Sequence, residues 1–478
     1  MASKVKNLLF VFADQLRGMD LGCMGNAEIP TPEIDRFAQQ GLRMTHAIAN
    51  FPVCGPSRAS MLTGRESSSV GVPANDLPLA DGVETLGTVA KRAGCQTGYI
   101  GKWHLDGVPR DKFTPPGSRR FGFDYWAAFN CSHDYFRPQY YRDDPKMRTG
   151  EGYEPAFQTD LALEFLQDLD RSQPFCLALS WGPPHDPYWM VPAEHRRSID
   201  GESITLRPNV QAEVENPLTR GVSCREAHAN YRAAILALDD QFGRLMRGLE
   251  ALGLAEETCV VFTSDHGDML WSHGWLKKQA PFLESISIPF ILRHPDRVRA
   301  ESVCSLPMGT PDFLPTLCGL LDWPAPSSCE GIDLSGHFQQ SYSDSDRELL
   351  IANHMSSDEA GEQNMPEWRG LYSRRLTYVE QAPGIPWLLF DNQEDPFQLN
   401  NLLDDPMHSE TVAALHERLH QRLRTRGDRF LSGIELLKEQ GHWSSWCEID
   451  RNRYTPAYLK KMQASFSKSA NALKGSEN

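Results

Sequence analysis

Leu8-Leu9-Phe10-Val11-Phe12-Ala13-Asp14-Gln15 is an unbroken apolar run that stops at an acid and an amide. An apolar run without alternation reads as a strand covered on both faces, the strand type of α/β sheets. Such a strand ending in polar residues delivers them to the carboxyl edge of the sheet, where open α/β folds place their ligands. A simple strand-end cap is the plainer use of Asp14.

The pattern recurs along the chain. A strand at 97–100 leads to Gly101-Lys102-Trp103-His104-Leu105, and one at 175–179 runs into Pro183-Pro184-His185-Asp186-Pro187. Residues 258–263 close in Ser264-Asp265-His266-Gly267-Asp268, and another strand is expected at 288–292. Helical segments lie between them. Thr31 reads as the N-cap of a helix starting at Pro32, and residues 85–93 form a helix stopped by Gly94. Residues 224–252 form a long amphipathic helix with Tyr231, Ile235, Leu238, Phe242 and Leu249 on one face, ended by Gly253. Asp239 and Asp240 on that helix read as solvated or capping acids. Buried strands interleaved with helices make this an α/β protein.

Cys54-Gly55-Pro56-Ser57-Arg58-Ala59-Ser60-Met61-Leu62-Thr63-Gly64-Arg65 begins as a turn and continues as a helix stopped by Gly64. Cys54 then stands at or just before a helix N-terminus, where free N–H groups favour an anion. A phosphatase-type cysteine loop needs five residues between Cys and Arg, and here there are three. A lone buried thiol remains the bland alternative.

The 478 residues suffice for one large domain and a smaller one. A net charge of −15 disfavours nucleic acid, anionic membranes and long polyanions as main partners. The eleven cysteines show no CxxC pair, so neither a structural zinc site nor a disulfide framework is expected. No apolar run is long enough to cross a bilayer, and 8–12 is too short for a signal-peptide core. As written the chain reads as cytoplasmic, or as periplasmic or secreted if an export signal was removed.

The aromatic stretch from Phe121 to Tyr141 has no regular period. It reads as packed core, with a stacking wall for a sugar or aromatic ring as the alternative, and His133, Asp134 and Arg137 lie within it. Pro311-Asp312-Phe313 reads as a structural helix start. Residues 341–347 are turn-rich and suit a boundary, 369–380 and 387–390 read as strands of a small antiparallel sheet, and 411–426 as a helix. The last twenty or so residues look like a frayed tail. These readings divide the chain into a catalytic α/β domain, 1–365, and a C-terminal α+β subdomain, 366–478.

The Cys54 stretch resembles the type I sulfatase signature Cys-x-Pro-Ser-Arg-x-x-x-Leu-Thr-Gly-Arg at every fixed position. Gly101-Lys102-Trp103-His104, Pro184-His185-Asp186-Pro187 and Asp265-His266 resemble further motifs of that family, in the family's order. The resemblance runs from about Leu8 to Leu402. It implies an alkaline-phosphatase-like fold, with a large mixed sheet flanked by helices. It further implies that Cys54 is oxidised to formylglycine by a formylglycine-generating or sulfatase-maturing enzyme, and that the hydrated aldehyde attacks the sulfur of a sulfate ester.

The same resemblance gives Arg58 the task of holding the nucleophile, and gives Lys102 and Lys278 that of offsetting sulfuryl charge. Counted back from Glu284-Ser285, Lys278 suits this role better than Lys277. It makes His185 the donor to the leaving oxygen and His104 the base that expels sulfate. One divalent cation, Ca2+ first and Mn2+ or Mg2+ as alternatives, would be held by Asp14, Gln15, Asp265, His266 and the modified Cys54. Many sulfatases have a second Asp where this chain has Gln15, which keeps an oxygen donor but removes one charge.

The expected substrate is a small or terminal sulfated saccharide, with aryl and alkyl sulfates as competitors. A phosphonate or phosphate ester hydrolase sharing the site is the alternative enzyme. An anion-binding protein with an unmodified Cys54 is the alternative outside catalysis.

Overall fold

The computed structural model describes residues 4–214, 216–219, 221–338 and 347–456. An eight-stranded sheet forms its centre. Its strands in chain order are β1 (Asn7–Asp14), β2 (Leu42–Met44), β3 (Gln96–Lys102), β4 (Tyr125–Phe129), β5 (Phe175–Pro184), β6 (Thr258–Ser264), β7 (Phe290–Arg293) and β8 (Ser302–Cys304). In space they run β8-β2-β7-β6-β1-β5-β3-β4. From β6 to β4 all neighbours are parallel, while β7 pairs antiparallel with both β6 and β2. The sheet is therefore mixed. The strand expected at 288–292 is broken at Pro289, which has no N–H to give a ladder, and only 290–293 joins this sheet.

The continuous apolar run of β1 is buried on both faces. Leu8, Phe10 and Phe12 face a core shared with α2 (Cys54–Thr63), α3 (Leu86–Arg92) and, later in the chain, residues 313–321. Leu9, Val11 and Ala13 face the opposite core, with α1 (Pro32–Gln39), α4 (Glu154–Gln167) and the long α5 (Cys224–Ala251). Each fully buried aliphatic or aromatic side chain contributes about 1.5–3 kcal/mol. Two such layers fix β1 and the carboxyl edge it leads to.

Asp239 of α5 caps a different helix: its carboxylate accepts the N–H groups of Glu33 and Ile34 at the start of α1. Thr31 occupies the N-cap position of α1, but its hydroxyl donates to the Asp35 side chain instead of capping. Asp240 lies at the surface beside His195.

A four-stranded antiparallel sheet follows: β9 (Leu349–Asn353), β10 (Trp368–Tyr372), β11 (Leu376–Gln381) and β12 (Ile385–Asp391). Its first strand precedes the expected division at 365/366. The run read as one strand, 369–380, is two strands joined by a turn. One face of this sheet packs on Ile48, Met269 and Phe282 of the large domain. Helix α6 (Phe313–Leu321) packs in the large-domain core with β1 and α2, and the other face of the small sheet is covered by α7 (Ser409–Thr425) through Leu415, Leu419 and Leu423. The turn-rich boundary at 341–347 falls almost wholly, and the tail after 456 wholly, outside the described residues. No described helix is long and apolar enough to cross a membrane.

Candidate active site

Four strand ends and one helix start converge. Cys54 is the first residue of α2, with Val53 extended before it and Gly64 in the left-handed region (φ 69°) after it. Every residue of α2 is buried, and Cys54 is 1% exposed. β1 brings Asp14 and β6 brings Asp265 and His266 to the same point. One ligating atom from each of Asp14, Cys54, Asp265 and His266 lies within 4.8 Å of the others.

Their orientation suits a cation. The His266 Nδ1–H donates to the carbonyl of Gly267 at 2.8 Å, which turns Nε2 towards the cluster. That Nε2 is 3.2 Å from Cys54 Sγ, 3.6 Å from Asp14 Oδ1 and 3.7 Å from Asp265 Oδ1. Two buried carboxylates with one imidazole form a donor set for a divalent cation. Gln15, in the left-handed region at φ 69°, sends its amide oxygen to Lys278 Nζ (2.9 Å) and its amide nitrogen to Asp268 (2.6 Å).

Arg58 locks the two acids. Its Nη2 donates to Asp14 Oδ2 at 3.0 Å and its Nε to Asp265 Oδ2 at 2.9 Å, and all three side chains are fully buried. Nη1 is tied to the Lys102 carbonyl and Ser180 Oγ. Burial penalises the Asp14 charge and Cys54 opposes it, but Lys102 and Arg58, both bonded to it, win and hold its carboxyl below the usual range. Asp265 is pushed up, by burial and then by Asp14.

β3 delivers Lys102 and His104. Gly101 permits this: its φ is 102°, and a Cβ there would sit 2.0 Å from the Ser180 carbonyl oxygen. Lys102 Nζ donates to Asp14 Oδ2 at 2.6 Å and lies 3.5 Å from Cys54 Sγ. His104 Nε2 is 3.1 Å from Asp76 Oδ1. Burial would lower the His104 pKa, but Cys131 and Asp76 carry it up to about 10.

β5 delivers His185. Its Nδ1–H donates to the Asp186 carbonyl at 2.7 Å, and its Nε2 lies 2.6 Å from Lys278 Nζ. Lys277 turns the other way, to Asp186 Oδ1 at 2.8 Å and over the Tyr188 ring. The structure thus directs Lys278 into the cluster and Lys277 out of it.

The Cys54 thiol, although desolvated, is drawn well below its usual range by Lys102, Lys278 and His266. A cavity of about 280 Å³ opens above it. Its inner wall carries Lys102, His104, His185 and Lys278, and its rim carries Asp134, Asp358, Glu359 and Glu362. A larger cavity of about 480 Å³, lined in part by Glu28, His228 and Arg232, contains none of the cluster.

The aromatic stretch is core. Phe121, Phe123, Trp126 and Phe129 are buried, Phe136 is exposed, and no Phe, Tyr or Trp between 121 and 141 lines the cavity. His133 and Asp134 do line it, and His133 stacks on His185 with ring centroids 4.3 Å apart, whereas Arg137 does not reach it. Sequence reasoning did not find Asp76, Cys131, Arg110, or the late pair Arg453-Tyr454. Asp76 sits under His104 and binds Arg110 through two hydrogen bonds of 2.6 and 2.8 Å. Cys131 is desolvated, yet its thiol is pulled well down by His104, Lys102 and Arg110. Neither residue belongs to a local pattern, and only the folded chain brings them near Cys54.

Comparisons with known proteins give the family. The family profile described as Sulfatase matches residues 6–323, and that of N-sulphoglucosamine sulphohydrolase, C-terminal, matches 271–425. The ulvan-active sulfatase of Formosa agariphila is 36% identical over 442 residues, covering 91% of this chain and 84% of that protein. The N-acetylglucosamine-6-O-sulfatase of Bacteroides thetaiotaomicron is 25% identical, over 88% of this chain and 86% of that one. The solved structure of the Bacteroides fragilis protein described as sulfatase yidJ superposes with a TM-score of 0.80 at 28% identity, covering 90% of this chain and 98% of that chain.

Proposed function

The chain belongs to the sulfatase family, and we propose that it hydrolyses the sulfate monoester of a small or terminally sulfated saccharide through a formylglycine made from Cys54. Sulfatases generally use formylglycine and a metal ion. The observation that carries the reading is the position of Cys54 Sγ: 3.5 Å from Lys102 Nζ and 3.2 Å from His266 Nε2, beneath a cavity walled by cations. A plain thiol there could bind an anion, but it could not collapse to an aldehyde and expel sulfate.

We assign the cation site to Asp14, Asp265, His266 and the modified residue 54, with Ca2+ as the ion; the Gln15 oxygen expected among the ligands is held by Lys278 instead. When bound, such a cation stabilises charge on the developing oxyanion. Arg58 keeps the two acids in register, since it bonds both. Lys102 and Lys278 offset charge on the sulfuryl oxygens. His185, fixed by the Asp186 carbonyl and stacked on His133, addresses the departing alcohol oxygen. His104 holds and moves the proton at the nucleophile. Replacing the Cys54 sulfur removes one of the partners that keep His104 charged.

The rim supports the substrate class. Asp134, Glu359 and Glu362 disfavour further sulfates and accept hydroxyl donors, while Asp358 is paired with Arg453, which suits a sugar bearing one sulfate at the cavity floor. The relatives' names, one of them an N-acetylglucosamine sulfatase, point the same way. The burial of α2 also bears on the maturing enzyme: it must reach Cys54 before α2 packs. Two measurements test the proposal. The native Cys54 peptide should carry the mass of –CHO in place of –CH2SH. Turnover of sulfated mono- and oligosaccharides should exceed that of an aryl sulfate and of a phosphonate ester. An unmodified thiol would leave only anion binding, and faster phosphonate cleavage would replace the sulfatase reading.

A further inference from the structure

The small sheet carries a second group of metal-ligating side chains, remote from the catalytic cluster. Helix α7 sets His416 and His420 four residues apart, so both imidazoles share one face. They converge on Glu380 of β11. His416 Nδ1 lies 2.7 Å from Oε1 and His420 Nε2 lies 2.9 Å from Oε2. One ligating atom from each residue lies within 4.8 Å of the others.

Two further observations mark this group out. The pairing of β11 with β12 slips between Val379 and Glu380. A bulge of that kind re-aims a side chain. The Glu380 side chain is also 0% exposed, yet among the described residues no lysine or arginine pairs with it. Its only partners there are the two imidazoles and the Tyr378 hydroxyl, which donates at 2.8 Å. A buried carboxylate with no fixed cation beside it is a seat for one.

We propose that Glu380, His416 and His420 bind a zinc-class divalent cation that ties α7 to the small sheet. Two imidazoles and a carboxylate are a zinc donor set, whereas a single carboxylate supplies too few oxygens for Ca2+. The His416 and His420 side chains are 44% and 27% exposed, so the ion has an entry path and a water can complete the tetrahedron. On binding, each ring keeps its proton on the outward nitrogen and turns the other nitrogen's lone pair to the metal. Bond lengths of about 2.0–2.1 Å place tetrahedral N and O ligands about 3.3 Å apart. The present contacts need to open by only a few tenths of an ångström.

The test uses the full chain, stripped with a chelator and then titrated with Zn2+. Wild type should retain one more equivalent of zinc than His416→Gln/His420→Gln, and Zn2+ should raise the Tm of wild type further than that of the double variant, which keeps the catalytic cluster. Glu380→Gln keeps the side-chain shape and one acceptor oxygen but loses the charge, and should weaken this zinc about 10- to 100-fold. It also reads out the site if the double variant fails to fold. Sulfate ester turnover should be the same in all three proteins. Equal zinc uptake by wild type and Glu380→Gln overturns the proposal and leaves a hydrogen-bonded cluster only.

Discussion

Lys278 Nζ lies 2.6 Å from Nε2 of His185. The geometry fixes which atom holds the proton. An ammonium only donates, and the other ring nitrogen of His185 already donates to the Asp186 carbonyl, so the proton between the two belongs to Lys278. The two residues therefore act as one proton-handling unit at the departing oxygen. Replacing either with Ala should lower kcat about 10²- to 10⁴-fold. The double variant should lose little more than the worse single one, because the members of a unit are not additive. The loss should be smaller on an aryl sulfate, whose phenolate leaves without a proton. Additive losses, equal on alkyl and aryl esters, would separate the pair.

Arg58 stands between Asp14 and Asp265 with no access to water. Arg58→Met leaves buried Asp265 without its arginine partner and Asp14 with Lys102 alone, at a cost of about 3–5 kcal/mol. Urea unfolding of the cation-free protein measures this loss. Added Ca2+ should restore part of it, since a cation between the acids relieves the same repulsion. A variant as stable as wild type without cation would show that Arg58 is not what holds the acids.

Asp239 gives a pH dependence. Burial pushes its carboxyl up to about 7, against the Ile34 and Glu33 N–H groups that favour the charged form. The folded state thus binds this proton more tightly than the unfolded chain. The stability is complete below the ordinary value of 3.8 and is lost as pH rises towards about 7. Asp239→Asn keeps an acceptor for the Ile34 N–H and has no proton to lose. Between pH 5 and pH 8 its stability should change by about 1–3 kcal/mol less than that of wild type. Parallel pH curves for the two proteins would show that burial does not penalise this charge.

Asp239 also shows how far the sequence could be read. Its position on an amphipathic helix marked it as a capping or solvated acid, but no local pattern says that it caps α1, more than two hundred residues away. The catalytic cluster was legible for the opposite reason. Asp14, Lys102, His104, His185 and Asp265-His266 each follow a buried strand, and a strand end is a local feature. Their convergence on Cys54 then follows from parallel strands sharing one carboxyl edge. The cavity rim was not legible, because Asp358, Glu359 and Arg453 come from loops and the late chain, whose positions are set by tertiary packing. The aromatic stretch shows that limit in composition: its rings read equally as core or as a sugar platform, and the packing around β3 and β4 made them core. Glu380, His416 and His420 were hidden because a strand residue and a helix pair meet only after the small sheet forms.

Asp76 tests the layer behind the nucleophile. Its Oδ1 takes His104 Nε2 at 3.1 Å and Arg110 Nε at 2.6 Å, and its Oδ2 lies 3.2 Å from Arg453 Nε. It is a positioning residue, reaching the chemistry through His104 and the cavity rim through the two arginines. Asp76→Asn should lower kcat about 10- to 100-fold on every sulfate ester, as loss of a supporting carboxylate does, with the content of catalytic-site cation unchanged. Arg453→Ala removes a rim cation and one partner of Asp76 Oδ2, and leaves the His104 and Arg110 bonds of Asp76 in place. It should raise KM for a sulfated oligosaccharide and leave kcat on a small aryl sulfate as in wild type. A merely structural role for Asp76 predicts a lower Tm with kcat per folded molecule intact. If Arg453→Ala instead matches Asp76→Asn on both substrates, the rim and the nucleophile are not separable through this carboxylate.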